Sequence, residues 1–303
     1  MSNTSKQQSA AVAKSPLVAA ASEYGIAKVN KPAKQSFILA VFAGVFIAIA
    51  FIFYISVTTG STMGWGMTRL VGGLAFSMGL MLVIAAGAEL FTSTVLTTVG
   101  WAHNKITVAQ QLQCWTRVYF GNMLGAFVMV CMIFAGGLFA LNDGQWGLTA
   151  LKIAQHKLHH TWGQAFVLGI MCNMLVCLAV WMTFATKDLF TKCFIVMLPV
   201  AMFVCAGFEH CIANMFMIPM GIVIAEFAPE SFWLAANVEP AQFSDLTLVN
   251  YIGANLIPVT LGNIVGGAVI VGLGYWLADN TELLGAKAQQ TKQQSGTAAK
   301  AND

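Results

Sequence analysis

The sequence predicts an all-α membrane protein with six transmembrane helices. Hydrophobic residues occupy 58% of its 303 positions, charged residues only 9%, and the mean hydropathy is +0.73. A soluble domain usually carries about 25% charged residues, so this composition places most of the chain in a bilayer. Six apolar stretches are long enough to cross it, because a straight span needs about 20 residues. These stretches lie near residues 37–57, 70–102, 116–141, 162–185, 193–225 and 249–278.

Polar segments flank this apolar region. We expect a polar N-terminal segment at 1–36, a six-span membrane domain at 37–279 and a polar tail at 280–303. The first segment lacks the short apolar core and small-residue cleavage site of a signal peptide.

The distribution of Lys and Arg predicts the orientation. With both termini on one side, that side holds 12 of these residues, and the other side holds Arg69, Lys152 and Lys157. The positive-inside rule therefore places both termini in the cytoplasm.

The second and fifth stretches are too long for one straight span, and each contains a single carboxylate, Glu89 or Glu209. A helix that breaks near this carboxylate explains both the length and the polarity. The third and sixth stretches share a G-N-x-x-G pattern, with Asn122 in "GNMLG" and Asn263 in "GNIVG". Three spans per half is an odd number, so we expect two inverted three-helix repeats, a pattern of transporters and channels. For the glycines themselves we favour close helix packing, whereas the amides of Asn122 and Asn263 would need hydrogen-bond partners in lipid.

His210 is the candidate functional residue. Between Lys192 and Glu226 it is the only histidine, and its neighbour Glu209 is the only carboxylate. Ionisable groups at membrane depth are costly and usually functional, and half-helix N-termini attract small anions. An imidazole there can be neutral or cationic near physiological pH. The alternative is a core histidine bonded to one backbone carbonyl, and for Glu209 a role in tethering a neighbouring segment.

A second histidine cluster, "HKLHH", precedes the fourth stretch. His156, His159 and His160 have a helical spacing that could hold a metal, but no carboxylate or cysteine accompanies them nearby, so we do not favour a metal site. Lys157 is the more useful residue, since one positive charge at an outer mouth would concentrate anions. An ordinary solvated lysine is the alternative.

Three blocks carry a resemblance to a known family. "AAGAELFTSTV" (85–95), "GIMCNMLVCLAVW" (169–181) and "GFEHCIANMFMIPMG" (207–221) resemble the signature blocks of the formate/nitrite transporters, and the similarity runs from about Gly44 to Tyr275. The resemblance implies an aquaporin-like six-span protomer in a homopentamer, with one pore per protomer, in the bacterial inner membrane. It implies a channel for formate and similar small monovalent anions.

The resemblance also assigns roles to individual residues. His210 matches the family's central pore histidine, Thr92 its partner, and Lys157 the vestibule lysine. Apolar rings that narrow the pore match Phe76 with Leu90 on one side and Leu80 with Phe203 on the other. The matches to polar positions near the centre are Asn173, Asn214 and Asn263.

Several alternatives stay open. The substrate can cross as the anion, with His210 as counter-charge, or as the neutral acid, and nitrite, hydrosulfide, acetate and lactate fit as well as formate. An aquaporin-like channel for small neutral solutes is the alternative function. No nucleophile–base pair, metal cluster or phosphate loop indicates an enzyme, and we expect neither a cofactor nor nucleic acid. The N-terminal segment could gate the pore or bind a cytoplasmic formate-metabolising enzyme, or it could be a simple tail.

Overall fold

The computed structural model describes residues 15–281, which form helices and no strand. Within this part, six helical segments are long and apolar enough to cross a membrane, which confirms the predicted all-α, six-span architecture. These segments are Ala33–Thr58, Trp65–Ala85, Val108–Ala135, Trp162–Ala185, Leu189–Ala206 and Pro240–Asp279. The first 14 residues of the predicted N-terminal segment and the tail after residue 281 lie outside the described residues.

The first half of the chain contains six helices. They are α1 (Pro16–Asn30), α2 (Ala33–Thr58), α3 (Trp65–Ala85), α4 (Phe91–Thr94), α5 (Thr97–Ala102) and α6 (Val108–Ala135). The second half begins with α7 (Gln145–Leu158), α8 (Trp162–Met182), α9 (Leu189–Ala206), α10 (Cys211–Phe227) and α11 (Glu230–Ala236). Its last span joins α12 (Leu248–Asn250), α13 (Ile257–Ile264) and α14 (Gly274–Asp279) through π-helical turns at Tyr251–Leu256 and Val265–Leu273.

Local sequence explains where two of the long helices begin. Thr107 and Thr161 each accept a hydrogen bond from the backbone N–H three residues on, and Gln110 and Gln164 each bond back to the cap residue. Such capping boxes satisfy N–H groups that the first helical turn leaves without partners. They start α8 at the edge of its apolar stretch and α6 about two turns before the edge of its own.

The glycines of the two G-N-x-x-G patterns allow helices to touch. A Cβ on Gly125 would lie 2.1 Å from the carbonyl oxygen of Val41, and one on Gly266 would lie 2.2 Å from that of Ile170. Small residues let membrane helices approach backbone to backbone. The patterns therefore pack α6 on α2, and the last span on α8.

Two short non-helical segments separate neighbouring helices. Residues 86–90 connect α3 to α4, and residues 207–210 connect α9 to α10. Gly87 and Gly207 take positive φ angles of 65° and 77°, which side chains with a Cβ rarely adopt. Both segments carry the carboxylate that the sequence singles out, Glu89 or Glu209.

Candidate functional site

Two cavities and a narrow void between them form the candidate site. The α7 cavity, about 610 Å³, is lined by α7, α3 and the 207–210 segment. The α1 cavity, about 520 Å³, is lined by α1, the end of α3 and the 86–90 segment. The void measures about 10 Å³, which is room for about one water molecule. His210 lines both the void and the α7 cavity, so its ring faces the internal space and not lipid.

Apolar side chains surround the void. All four predicted constriction residues line it, together with Ile47, Val176, Val200 and His210. The predicted pairing of these residues is wrong. Phe76 and Phe203 both face the α7 cavity, with their ring centroids 6.0 Å apart, whereas Leu80 faces the α1 cavity. The reason is that Phe76 lies one helical turn nearer the start of α3 than Leu80, so the two point to opposite ends of the void.

His210 is held at both ring nitrogens. Nδ1 accepts a hydrogen bond from the backbone N–H of Ala213 at 3.1 Å, so the side chain caps the N-terminus of α10. Nε2 lies 3.0 Å from Oγ1 of Thr92. The ring also stacks on Phe203, with centroids 5.9 Å apart.

This geometry determines the tautomer. A nitrogen that accepts a hydrogen bond carries no proton, so in this arrangement His210 is neutral, with its proton on Nε2. Nε2–H then donates to Thr92. A second proton on Nδ1 would face the Ala213 N–H, so a cationic His210 must leave the cap.

Two asparagines anchor the non-helical segments. Oδ1 of Asn263 accepts from Cys211 N–H at 2.9 Å, and its Nδ2 donates to the carbonyls of Gly169 and Glu209. Asn122 makes the matching bonds in the first half, to Phe91 N–H and to the carbonyls of Ala40 and Glu89. Both side chains are fully buried.

Asn173 has a similar function. Its Nδ2 donates to the carbonyls of Thr92, at 3.1 Å, and of Asn263, at 2.6 Å. Asn173 and Asn263 therefore bind the chain's own backbone around the void.

Glu209 is the centre of a buried polar cluster next to the α7 cavity. Its carboxylate accepts from Lys157 Nζ at 2.8 Å, Asn214 Nδ2 at 2.6 Å and Asn255 Nδ2 at 3.1 Å. Lys157 is thus ion-paired and only 9% exposed, and it still lines the cavity. No sequence pattern singles out Asn255, because it lies in a π-helical turn that hydropathy does not reveal.

Glu89 has an equivalent set of partners beside the α1 cavity. Lys28 Nζ donates to its carboxylate at 2.5 Å, and Lys31 Nζ binds the other oxygen. Lys28 lies in the last turn of α1, and Lys31 is the C-cap of this helix. From the sequence alone, both lysines are only charges of the polar N-terminal segment. Their partner lies about sixty residues away, which no local pattern indicates.

The three histidines of "HKLHH" lie in different places. His159 Nε2 lies 2.7 Å from Asp245 on the exposed surface, whereas His156 and His160 line the α7 cavity with their rings 5.1 Å apart. His160 Nε2 is 3.7 Å from the Glu209 carboxylate. Burial lowers the pKa of His160, and the charge of Glu209 opposes this effect. Among the described residues, no group of three or more His, Cys, Asp or Glu side chains is placed to hold a metal.

Comparison with known proteins identifies the family. Residues 15–277 match the sequence profile of the formate/nitrite transporter family. The formate channel FocA of Escherichia coli K12 is 54% identical over 258 residues, which cover 85% of this chain and 90% of that protein. FocA of Haemophilus influenzae is 49% identical over 247 residues, which cover 81% of this chain and 87% of that protein.

A solved structure agrees with this assignment. A pentameric formate channel with formate bound is 57% identical, and the match covers 81% of this chain and 97% of that one with a TM-score of 0.78. The predicted family resemblance, which the sequence blocks carry, is confirmed. The chain therefore belongs to the formate/nitrite transporter family.

Proposed function

We propose that this protein is a membrane channel for formate and related small monovalent anions. The proposal rests on the order of the internal cavities: a lysine-lined cavity, an apolar void with one histidine, and a second lysine-lined cavity. The relatives named as formate channels support formate as the substrate.

Positive side chains attract the anion at both ends. Arg69, Lys152 and Lys157 line the α7 cavity together with one carboxylate, Glu209, so cations exceed carboxylates by two. Lys28, Lys31 and Lys192 line the α1 cavity together with Glu23 and Glu89, so cations exceed carboxylates by one. At an effective dielectric constant of about 20, a unit charge about 4 Å from an anion contributes about 4 kcal/mol, which favours entry of the anion over a neutral solute.

The void opposes an anion. Its lining is apolar except for His210, and a charge without a partner there would pay a large desolvation penalty. His210 is the side chain that can offset this penalty. While it caps α10 it is neutral and donates from Nε2; once it leaves Ala213 it can take a second proton and balance the charge of the anion or protonate it. Protonation of the substrate and release of the helix cap are thereby linked.

The two halves support an inverted-repeat arrangement. Glu89 N–H donates to the Leu39 carbonyl, and Glu209 N–H donates to the Leu168 carbonyl. The asparagine anchors and lysine partners of these two glutamates also match. We therefore take the second half as an inverted copy of the first, with α1 equivalent to α7.

Orientation and assembly follow from charge and similarity. Arg69, Lys152 and Lys157 are the few basic residues expected outside, so the α7 cavity opens away from the cytoplasm and the α1 cavity opens into it. The structural neighbour that is a pentamer supports a homopentamer in the bacterial inner membrane. The N-terminal segment would then lie on the cytoplasmic side, where a partner enzyme that makes or consumes formate can reach it.

Transport by the purified protein in proteoliposomes tests the proposal. We expect fast swelling in an isotonic formate gradient and none above empty liposomes in glycerol. Equal swelling in both would favour the aquaporin-like channel for neutral solutes, which the apolar void alone would also allow. A chain that passes neither solute would contradict both functions.

A further inference from the structure

The two glutamate clusters differ at one position. Glu89 binds two ammonium groups, Lys28 and Lys31. Glu209 binds one ammonium group, Lys157, and faces one imidazole, His160, at 3.7 Å. In both clusters the first basic residue lies in the last turn of a helix, and the second lies three positions further on, just past the end of that helix.

The spacing of the halves makes these positions equivalent. The same number of residues separates Lys28 from Lys157 and Lys31 from His160, and also Ala40 from Gly169, whose carbonyls bind the two anchoring asparagines. His160 therefore occupies the place that Lys31 occupies in the other half.

The surroundings of His160 leave it able to gain a proton from the cavity. Its side chain is 17% exposed and lines the α7 cavity, and Nε2 has no hydrogen-bond partner in the described structure. Glu209 faces it from the 207–210 segment. The other charged or titratable groups around it are Lys152, His156 and Lys157 on α7, His159 at the C-terminal end of that helix, and Arg69 of α3 across the cavity.

Charge counting shows what a proton would change. With a neutral His160, the charges of Glu209 and Lys157 cancel. A protonated His160 gives the cluster a net charge of +1 and competes with Lys157 for the same carboxylate oxygen, Oε1. The Glu89 cluster already has a net charge of +1, since both of its cations are lysines and neither is an imidazole.

We propose that His160 is a positioning residue that makes anion capture by the α7 cavity acid-dependent: its protonated form binds Glu209 and frees Lys157 for the incoming carboxylate. Capture by the α1 cavity does not respond to pH in the same range. The inference rests on the proposed anion transport and adds a pH-dependent affinity on one side only. It is separate from His210, which acts at the void and affects entry from either side.

The test measures formate uptake from each side separately, in membrane vesicles of the two orientations. The pH on the side of entry is lowered from 7.5 to 5.0 while the opposite side stays at 7.5; formate remains about 90% ionised even at the lower value. For entry from the α7 side, we expect KM to fall at least about fivefold, with little change in maximal rate. Fivefold is the effect of one added unit charge about 4 Å from the anion in bulk water, and the effect grows as the effective dielectric constant of the cavity falls toward about 20. For entry from the α1 side, we expect KM to stay constant.

Exchange of the two equivalent residues sharpens the test. His160→Gln should hold the α7-side KM at its neutral-pH value, and His160→Lys should hold it at its acid value. Lys31→His should transfer the pH response to the α1 side. His159→Gln is the matched control, since His159 bonds Asp245 outside the cavity, and it should behave as the unmodified protein.

Each outcome decides the matter. A KM that still falls in acid in His160→Gln, or an α1 side that stays insensitive to pH in Lys31→His, would overturn the inference while leaving formate transport intact. An unmodified protein without formate uptake would instead refute the proposed function. If His160→Gln fails to assemble, His160→Lys and Lys31→His give the answer without it.

Discussion

Replacement of Asn263 by leucine tests whether buried amides hold the 207–210 segment in place. Leucine has nearly the same shape but can neither donate nor accept a hydrogen bond. The change removes the 2.9 Å bond from Cys211 N–H and the bonds of 2.8 and 3.0 Å to the carbonyls of Gly169 and Glu209. The site is fully buried, so water cannot take over these three backbone groups.

The three bonds set the magnitude. Hydrogen bonds between membrane helices contribute about 0.6 kcal/mol each on average, which gives about 2 kcal/mol. A net value of about 1.5 kcal/mol for each buried bond gives between 4 and 5 kcal/mol. We therefore expect Asn263→Leu to lower the free energy of unfolding by about 2 to 5 kcal/mol.

Reversible unfolding in mixed SDS and detergent micelles measures this free energy. Asn122→Leu should lose a similar amount, because Asn122 makes the same three kinds of bond in the first half. Asn280→Leu serves as the control; this buried amide makes a single bond, to the carbonyl of Trp276. If Asn263→Leu cost no more than Asn280→Leu, the amide would not be what holds the segment, and the anchoring argument would be refuted.

Two further predictions concern transport. His210→Asn keeps an N-cap acceptor for Ala213 but cannot be protonated, so the protein should fold and the pH response of its maximal formate flux between pH 7 and pH 5 should disappear. Flux that instead rose with the neutral-acid fraction, about 100-fold over this range, would show that the proton comes from bulk water and not through His210. Deletion of residues 1–14 should leave flux unchanged, because α1 and its contact from Lys28 to Glu89 remain, whereas Lys28→Gln should reduce it. A loss of flux or of its pH response in the deletion, measured in the same liposomes, would place the gate in those first residues.

The number and type of the spans could be predicted because hydropathy is a local property. Each apolar stretch of about 20 residues must form a helix in lipid, where unpaired backbone groups are too costly. His210 could be singled out for a similar reason, because an isolated imidazole in an apolar stretch is visible in the sequence alone. Its role as a helix cap could not, because that depends on a bend at Gly207 that no pattern of hydrophobicity encodes.

The ion pairs of Glu89 with lysines of α1 and its C-cap could not be predicted from the sequence. Lys28 and Lys31 belong to a segment that its composition presents as a polar extension, yet they bind Glu89 in the membrane domain. A comparison of the halves would have given one signal: Lys28 and Lys31 repeat the spacing of Lys157 and His160. The constriction pairing failed for a related reason, since which end of the void a side chain faces depends on its position along the helix relative to the void, which only the packed structure sets.

The two halves of the chain share the residues that hold the backbone but differ in the residues that line the void. The residues that hold the backbone agree between the halves, with an asparagine anchor and a buried glutamate in each. The residues that face the internal space do not agree: His210 stands where the first half has Leu90, and both line the void. A second imidazole at the void would place two groups that can each gain a proton within one apolar space, where mutual repulsion would disfavour their charged forms. A single histidine, which caps α10 when neutral and leaves the cap when protonated, avoids this conflict. We therefore attribute the different residues at the void to the transport of the anion, and the matching anchors to the need for the same bend in each half.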